Sequence, residues 1–339
     1  MAGMPSHVKS DFFSWRKALF RTYDVLHVHW PERFYRHHSM AGTIVKRILF
    51  AVILVRLRVS GGVVVQTVHN PEPHEAGDVG ERVLNRLMRL ATRGWIRLNE
   101  WTPVGARSNV ATIPHGHYRD LYTTENDVKP RRGALLFFGR IRPYKGVEEL
   151  ISALGGVRRE GVTLRIAGLP LSSSYGAEIA RRAQGSPSIE LDLRRLSDDE
   201  LAKYVRDAQL VVLPYREMHN SGALLLSLSL GRPVLVPSND VTREFANEVG
   251  HSWVLLYDDE LSADDLERAL AESEAAGTRG RPDLSRRDWG PIASATADVY
   301  GKALGLLAGD GVKLQERRPT AQLGVRTDGG RAEDTGGVE

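Results

Sequence analysis

Short β-branched runs alternate with helical stretches along most of the chain, the pattern expected of parallel strands flanked by helices. Asp24–His29 (DVLHVH) and Gly62–His69 (GVVVQTVH) read as buried strands, and Ala41–Arg58 between them as an apolar helix studded with arginine. Gly80–Thr92 is the next helix, and Trp95–Asn99 and Val110–Ile113 are two more short strands. Asp120–Gly133 is polar, holds Pro130 and a basic cluster, and reads as a linker.

A second alternating series follows. Ala134–Phe138 is a strand, Gly146–Leu154 a helix and Thr163–Ala167 a strand. Ser197–Ala208 is a helix opened by a Ser-Asp-Asp-Glu capping signal, and Leu210–Leu213 is a strand ended by Pro214. Ser221–Leu230 is helical, Pro233–Val236 and Trp253–Leu256 are strands, and Arg287–Leu307 is a last amphipathic helix. The division expected is an N-terminal Rossmann-like domain over 1–122, a linker over 123–133 and a second Rossmann-like domain over 134–285. A C-terminal helix over 286–308 and a disordered, Gly-rich and charged tail over 309–339 follow. Ahead of Asp24 there are only 23 residues, and Phe12–Leu19 has helical apolar spacing.

Composition narrows the chemistry. With 339 residues, 42% of them hydrophobic, the chain can fill two cores. It has no cysteine, which excludes disulfides, thiol nucleophiles and Cys-ligated metal sites. Met1–Phe20 carries charges throughout and lacks the apolar core of a secretory signal, so a cytoplasmic location is expected. The longest apolar run, Ile48–Val55, is too short to cross a bilayer. A formal charge of +4 suits anionic partners, and the basic residues lack the aromatic-interleaved patch of a nucleic-acid binder.

Three features carry candidate chemistry. Phe137–Gly146 (FFGRIRPYKG) places Gly139, Arg140 and Lys145 in a strand-to-helix loop, where ligands bind in open α/β sheets. Leu213–Gly222 (LPYREMHNSG) runs from a strand into an apolar helix. Asn220 or Ser221 is its N-cap, and the amides of Gly222, Ala223 and Leu224 offer an anion site. Glu217 and His219 precede it. Histidines gather at strand ends: His27 and His29, His69 and His74, His115 and His117, with Glu32, Glu72 and Glu75 nearby. His69 ends a continuous β run and is the leading candidate among them.

At these residues the sequence resembles the glycosyltransferases of the GT-B fold, particularly family 4 and bacterial exopolysaccharide mannosyltransferases. The resemblance spans about Asp24–Leu307 and implies an α/β fold of two Rossmann-like domains facing across a cleft. Family members usually begin with a strand and a Gly-rich loop ahead of the DVLHVH strand, so that first strand is expected to be missing or replaced here. GRIRPYKG resembles the element whose Arg and Lys contact the donor diphosphate, here Arg140 and Lys145; TVHN resembles the strand whose His lies beside the transferred sugar, here His69 followed by Asn70. DVLHVHWPE resembles the strand and loop opening on the same cleft, and IPHGHY the segment leading to the linker. The acidic pair common in the family is unmatched: one register puts His219 and Ser227 at its places, the other Met218 and Leu226, and Glu217 could serve only with a different loop.

The resemblance implies transfer of a sugar, with mannose from GDP-mannose as the leading donor, to a glycan or lipid-linked saccharide. The nucleotide sugar is a substrate, and neither cofactor nor metal is expected, since no D-x-D element of the metal-dependent kind is present. His69 could hydrogen-bond the sugar or act as base, the latter if configuration inverts. Two alternatives stay open: a metal-dependent hydrolase built on His27, His29, His69 and His74, and a non-catalytic sugar-nucleotide binder. The basic residues of Ala41–Arg58, among them Arg47, Arg56 and Arg58, suggest peripheral contact with the inner face of an anionic membrane.

Overall fold

The short β-branched runs of the sequence lie in parallel sheets, while the longest apolar run, Ile48–Val55, lies in a helix. The computed structural model describes residues 3–69, 77–104, 107–122, 129–276, 280–306 and 323–327. They fall in two units, one of Met1–Gly116 with Arg286–Glu333 and one from His117 to Ser285.

Unit 1 begins with β1 (Val8–Phe12), α1 (Trp15–Phe20), β2 (Val25–Val28), α2 (Met40–Val59) and β3 (Val63–Val68), continuing through α3 (Val79–Ala91), β4 (Thr92–Arg97) and β5 (Val110–Thr112). All four residues of β2 are buried. Ser39 caps α2 by accepting from Gly42 N, and Asp78 caps α3 by accepting from Glu81 N.

Unit 2 contains β6 (Ala134–Phe138), α4 (Val147–Gly155), β7 (Thr163–Ala167), α5 (Ser173–Ala183), β8 (Ile189–Asp192) and α6 (Asp198–Asp207). After these come β9 (Leu210–Val212), α7 (Gly222–Ser229), β10 (Val234–Pro237), α8 (Asp240–Val249), β11 (Val254–Tyr257) and α9 (Ala263–Ala276). Its strands lie in the order β11-β10-β9-β6-β7-β8, all parallel. This is the doubly wound Rossmann order, and its direction of winding reverses between β6 and β9. Phe137, Leu150, Ile166, Val211 and Leu235 are among the residues of its single large core.

The chain then returns to unit 1 with α10 (Trp289–Ala303) and β12 (Leu323–Thr327). Tyr300 and Val299 of α10 share an apolar cluster with Val25, Val65 and Ile96. The unit 1 sheet has the order β1-β12-β2-β3-β4-β5 and is also parallel.

Two expectations are corrected here. A strand does precede β2: β1 stands at the sheet edge, with Val8 its one fully buried residue, so it shows no apolar run. Its neighbour β12 comes from the segment expected to be disordered, of which 309–322 and 328–339 lie outside the described residues. An edge strand whose partner lies some three hundred residues along the chain leaves little local signal.

Candidate active site

The two anion-directed segments of unit 2 flank the point where its sheet reverses, one leaving β6 and the other β9. Gly139 ends β6 at φ 112° and donates its N–H to Ala167 O at 3.0 Å. A Cβ on Gly168, at φ 144°, would stand 1.9 Å from Gly139 O, so β6 and β7 approach too closely there for any side chain. Ile141 is fully buried and pins the loop by donating to Leu169 O. Arg140, between these two anchors, is half-buried and has no hydrogen bond or ion pair among the described residues.

A short 3-10 turn, Pro143–Lys145, brings the loop back to Gly146. Gly146 has φ 67°, and a Cβ there would stand 2.1 Å from Pro214 O. This contact clamps the two segments together, aided by the bond from Arg216 N to Tyr144 O at 2.9 Å and the ion pair of Arg216 with Glu149. Gly146→Ala is therefore expected to cost at least about 2 kcal/mol, from a left-handed backbone plus a collision with main chain that cannot move aside. Chemical denaturation checks it; a loss below half that value would mean that the loops are not clamped.

Lys145 is 3% exposed, its Nζ 4.8 Å from the ring centroid of Tyr215. Ser221 is the N-cap of α7 and accepts from Leu224 N at 3.2 Å, which settles the choice between Asn220 and Ser221. Gly222 and Ala223 open the first turn, and from Ala223 to Ser229 the helix is buried all round. His219 is half-buried, with a pKa lowered by that burial, and Asn220 is half-buried beside it. Glu217 is exposed.

In unit 1 the histidines stand at the ends of β2 and β3, on strand positions that share a face. His29 Nδ1 and His69 Nε2 are hydrogen-bonded at 3.0 Å, and Trp30 stacks on the His69 ring with centroids 4.4 Å apart. His27 is different. Its Nδ1 meets Tyr300 Oη and its Nε2 meets Thr67 Oγ1, each at 2.7 Å, so both nitrogens serve the core. No sequence signal marks Tyr300, from the distant α10, as the partner that holds His27. His115 Nδ1 bonds Gly116 O at 2.8 Å, while Glu32 makes no hydrogen bond to a histidine among the described residues.

His117 opens unit 2, where its Nδ1 accepts from Arg119 N and steadies the following turn. Asn70 and His74, with Glu72 and Glu75, lie outside the described residues.

Burial holds His27, His29, His69 and His115 below the usual imidazole range. Histidine neighbours push the first three further down, as do Arg33 at His29 and His69 and Arg287 at His115; His29 reaches about 4. These side chains are neutral in the folded protein near pH 7. The unfolded chain takes up protons on them below about pH 6.5 and the folded chain does not, so stability falls with pH in that window, by up to about 1.4 kcal/mol per unit for each group. The melting temperature is expected to drop from pH 7 to 5, before most carboxylates titrate. A flat or rising profile would contradict the buried neutral cluster.

Residues 132–272, nearly the whole of unit 2, match the family described as glycosyl transferases group 1. Over 302 residues the chain is 43% identical to the GDP-mannose:glycolipid 4-beta-D-mannosyltransferase of Xanthomonas campestris pv. campestris, covering 89% of this chain and 86% of that protein. The chain belongs to the GT-B glycosyltransferases.

Solved structures share the fold of this glycosyltransferase. A glycosyltransferase from Rickettsia africae has a TM-score of 0.58 at 11% identity, covering 84% of this chain and 99% of that one. Sucrose-phosphate synthase from Thermosynechococcus elongatus has a TM-score of 0.57 at 18% identity, covering 84% and 75%. Anabaena HepE in complex with UDP has a TM-score of 0.54 at 17% identity, covering 77% and 75%.

Membership overturns the hydrolase alternative, and His27, with both nitrogens engaged, could not serve as a metal ligand without breaking core bonds. Within this glycosyltransferase neither register of the acidic pair supplies a substitute in α7. Leu226 is buried, and Ser227 is buried with its hydroxyl bonded back to Ala223 O at 2.8 Å. Among the described residues no helix is long and apolar enough to cross a membrane.

Proposed function

We propose that the protein transfers mannose from GDP-mannose to a lipid-linked saccharide, working from the cytoplasm at the inner face of a membrane. The observation that supports the donor half is that the segment bearing Arg140 and Lys145 leaves β6 and the segment that opens α7 leaves β9, on the two sides of the switch point of unit 2. Two side-chain cations and a turn of backbone amides form a receptor for a diphosphate. They also stabilise the charge that grows on the leaving nucleotide, so this reading needs neither metal nor cofactor. The identity of sugar and acceptor class is supported by the Xanthomonas relative, whose name specifies GDP-mannose, a glycolipid and a β-mannoside.

Making a β-mannoside from the α-linked nucleotide sugar is a displacement with inversion. The acceptor oxygen forms its bond to the anomeric carbon, the bond from that carbon to phosphate oxygen breaks, and GDP departs with the electron pair. The hydroxyl proton goes to a base, and we assign that role to His69 of unit 1. Its ring is oriented by His29 and Trp30 and is neutral near pH 7, as a base must be.

A thermal-shift screen of UDP, GDP, ADP and their sugars tests the donor, because a ligand bound only by the folded state raises stability by mass action. GDP and GDP-mannose are expected to give the largest shifts; a larger shift with UDP or ADP would reassign the nucleotide. Binding without transfer to any acceptor would favour the non-catalytic alternative.

A further inference from the structure

The helix α2 is apolar on two faces. Phe50, Ile53, Leu54 and Leu57 enter the core of unit 1, yet Ile44, Val45, Ile48, Val52, Val55 and Val59 are all exposed, Val59 at 83%. The second set recurs at helical spacing and makes one outer stripe. Its neighbour α3 does the same: Leu84 and Met88 face inward, while Val79, Val83, Leu87 and Leu90 are exposed at 42% or more. The two helices pack on each other. Scattered exposed aliphatic residues need no explanation, but two such stripes on neighbouring helices do.

The charges around the stripes are mostly positive, and the exposed carboxylate of Asp78, which caps α3, is paired with Arg47. Helix α2 contains no acidic residue. The single carboxylate within α3, Glu81, is buried and paired with Arg36 and Arg47. Arg58, Arg82, Arg86 and Arg89 are exposed, and none has an ion-pair partner among the described residues. Two arginines expected to touch lipid serve structure instead: Arg47 bonds Asp78, and Arg56 donates to Ala18 O and Arg21 O.

We infer that the outer face of α2 and α3 docks on an anionic lipid bilayer, its aliphatic stripes entering the headgroup boundary and its arginines meeting lipid phosphate. Helices that are apolar on the outside, rimmed by cations and unable to span form the arrangement that lies in the plane of an interface. Charge selects lipid over a second copy of the chain. Self-association on this face would set arginines against arginines, whereas an anionic surface supplies the missing counter-charge. The inference deepens the reading of a lipid-linked acceptor, since it brings unit 1 to the membrane where such an acceptor resides. Its test involves neither donor nor acceptor, so failure of vesicle contact and failure of mannosyl transfer are separate results.

The absence of cysteine makes the test direct. Ile48→Cys, Val55→Cys and Val83→Cys, each in the full chain, take one environment-sensitive NBD label, and Lys203→Cys on α6 is the control. With phosphatidylcholine vesicles containing phosphatidylglycerol, the first three are expected to brighten and shift to the blue, and the control is not. Vesicles of phosphatidylcholine alone should give a much smaller response. Replacing Arg82, Arg86 and Arg89 by Gln should lower vesicle affinity about a hundredfold, near fivefold for each charge, and flatten its salt dependence. All these positions are exposed, and an unchanged melting temperature confirms that each variant is folded. No spectral change on anionic vesicles, an equal change at Lys203, or a change that tracks protein concentration without vesicles would overturn the inference, the last in favour of self-association.

Discussion

Arg140→Ala and Lys145→Ala are each expected to lower kcat for sugar transfer by about a hundredfold or more, equivalent to roughly 2.7 kcal/mol of transition-state stabilisation. Arg140 is half-buried, fixed in place by Gly139 and Ile141 on either side, and bonded to nothing among the described residues. Its guanidinium is thus held ready without a competing carboxylate to release first. Lys145 sits deeper, against Tyr215, where water screens its charge less than at the surface. The first amides of α7 remain in both variants, so activity should be reduced and not abolished. Arg140→Lys should recover only part of the loss, because it restores the charge without the bidentate fork. Steady-state kinetics with the variants' melting temperatures provide the check. Wild-type kcat and an undiminished thermal shift with GDP in both Ala variants would remove the diphosphate assignment.

The second large effect is expected at His69. His69→Ala should reduce kcat by about a hundredfold to ten-thousandfold, the range for loss of a general base, and leave the affinity for GDP unchanged. The separation follows from the chain's organisation, since His69 belongs to unit 1 and the diphosphate residues to unit 2. A pH profile sharpens the point. The pKa of His69 is lowered, first by burial and then by His29, His115 and Arg33, so the neutral base persists below pH 6.5. The acid limb of kcat/KM should accordingly lie below the ordinary imidazole range. An acid limb near 6.5 or above, or a His69→Ala enzyme of normal kcat, would place the base elsewhere.

The buried strands were the most legible part of the molecule. Ala134–Phe138 and Thr163–Ala167 have the same bounds in sequence and structure, because apolar runs ended by glycine leave little freedom of register. The flanking helices of unit 2 were harder. Helix α8 buries only Thr242, Ala246 and Val249, and α5 only Gly176, Ile179 and Ala183, sets too small and too polar to announce a packed face. Helix α9 did carry a pattern, with Leu266, Ala269 and Leu270 at helical spacing, but its many charges masked it.

The site divides in the same way. Arg140, Lys145 and the α7 cap could be located because the glycines and cations that follow one strand, and the helix start that follows another, are each short-range features of the sequence, the kind that the proposed phosphate receptor would use. The histidines could be located but not sorted: only the third dimension shows that Tyr300 and Thr67 hold His27 while Trp30 and His29 frame His69. The outer stripes of α2 and α3 were hidden for a related reason. An apolar residue in a sequence looks the same whether it faces the core or the solvent, so a helix apolar on both sides reads as a core helix.

The most direct measurement of the central claim is product formation. Purified protein is incubated with GDP-[14C]mannose and a synthetic saccharide linked to a lipid diphosphate, and the organic-phase product is analysed by scintillation counting and NMR. The expected result is transfer of label to the lipid fraction with a β linkage and release of GDP. Transfer from UDP- or ADP-sugars but not from GDP-mannose, or an α-linked product, would contradict the account.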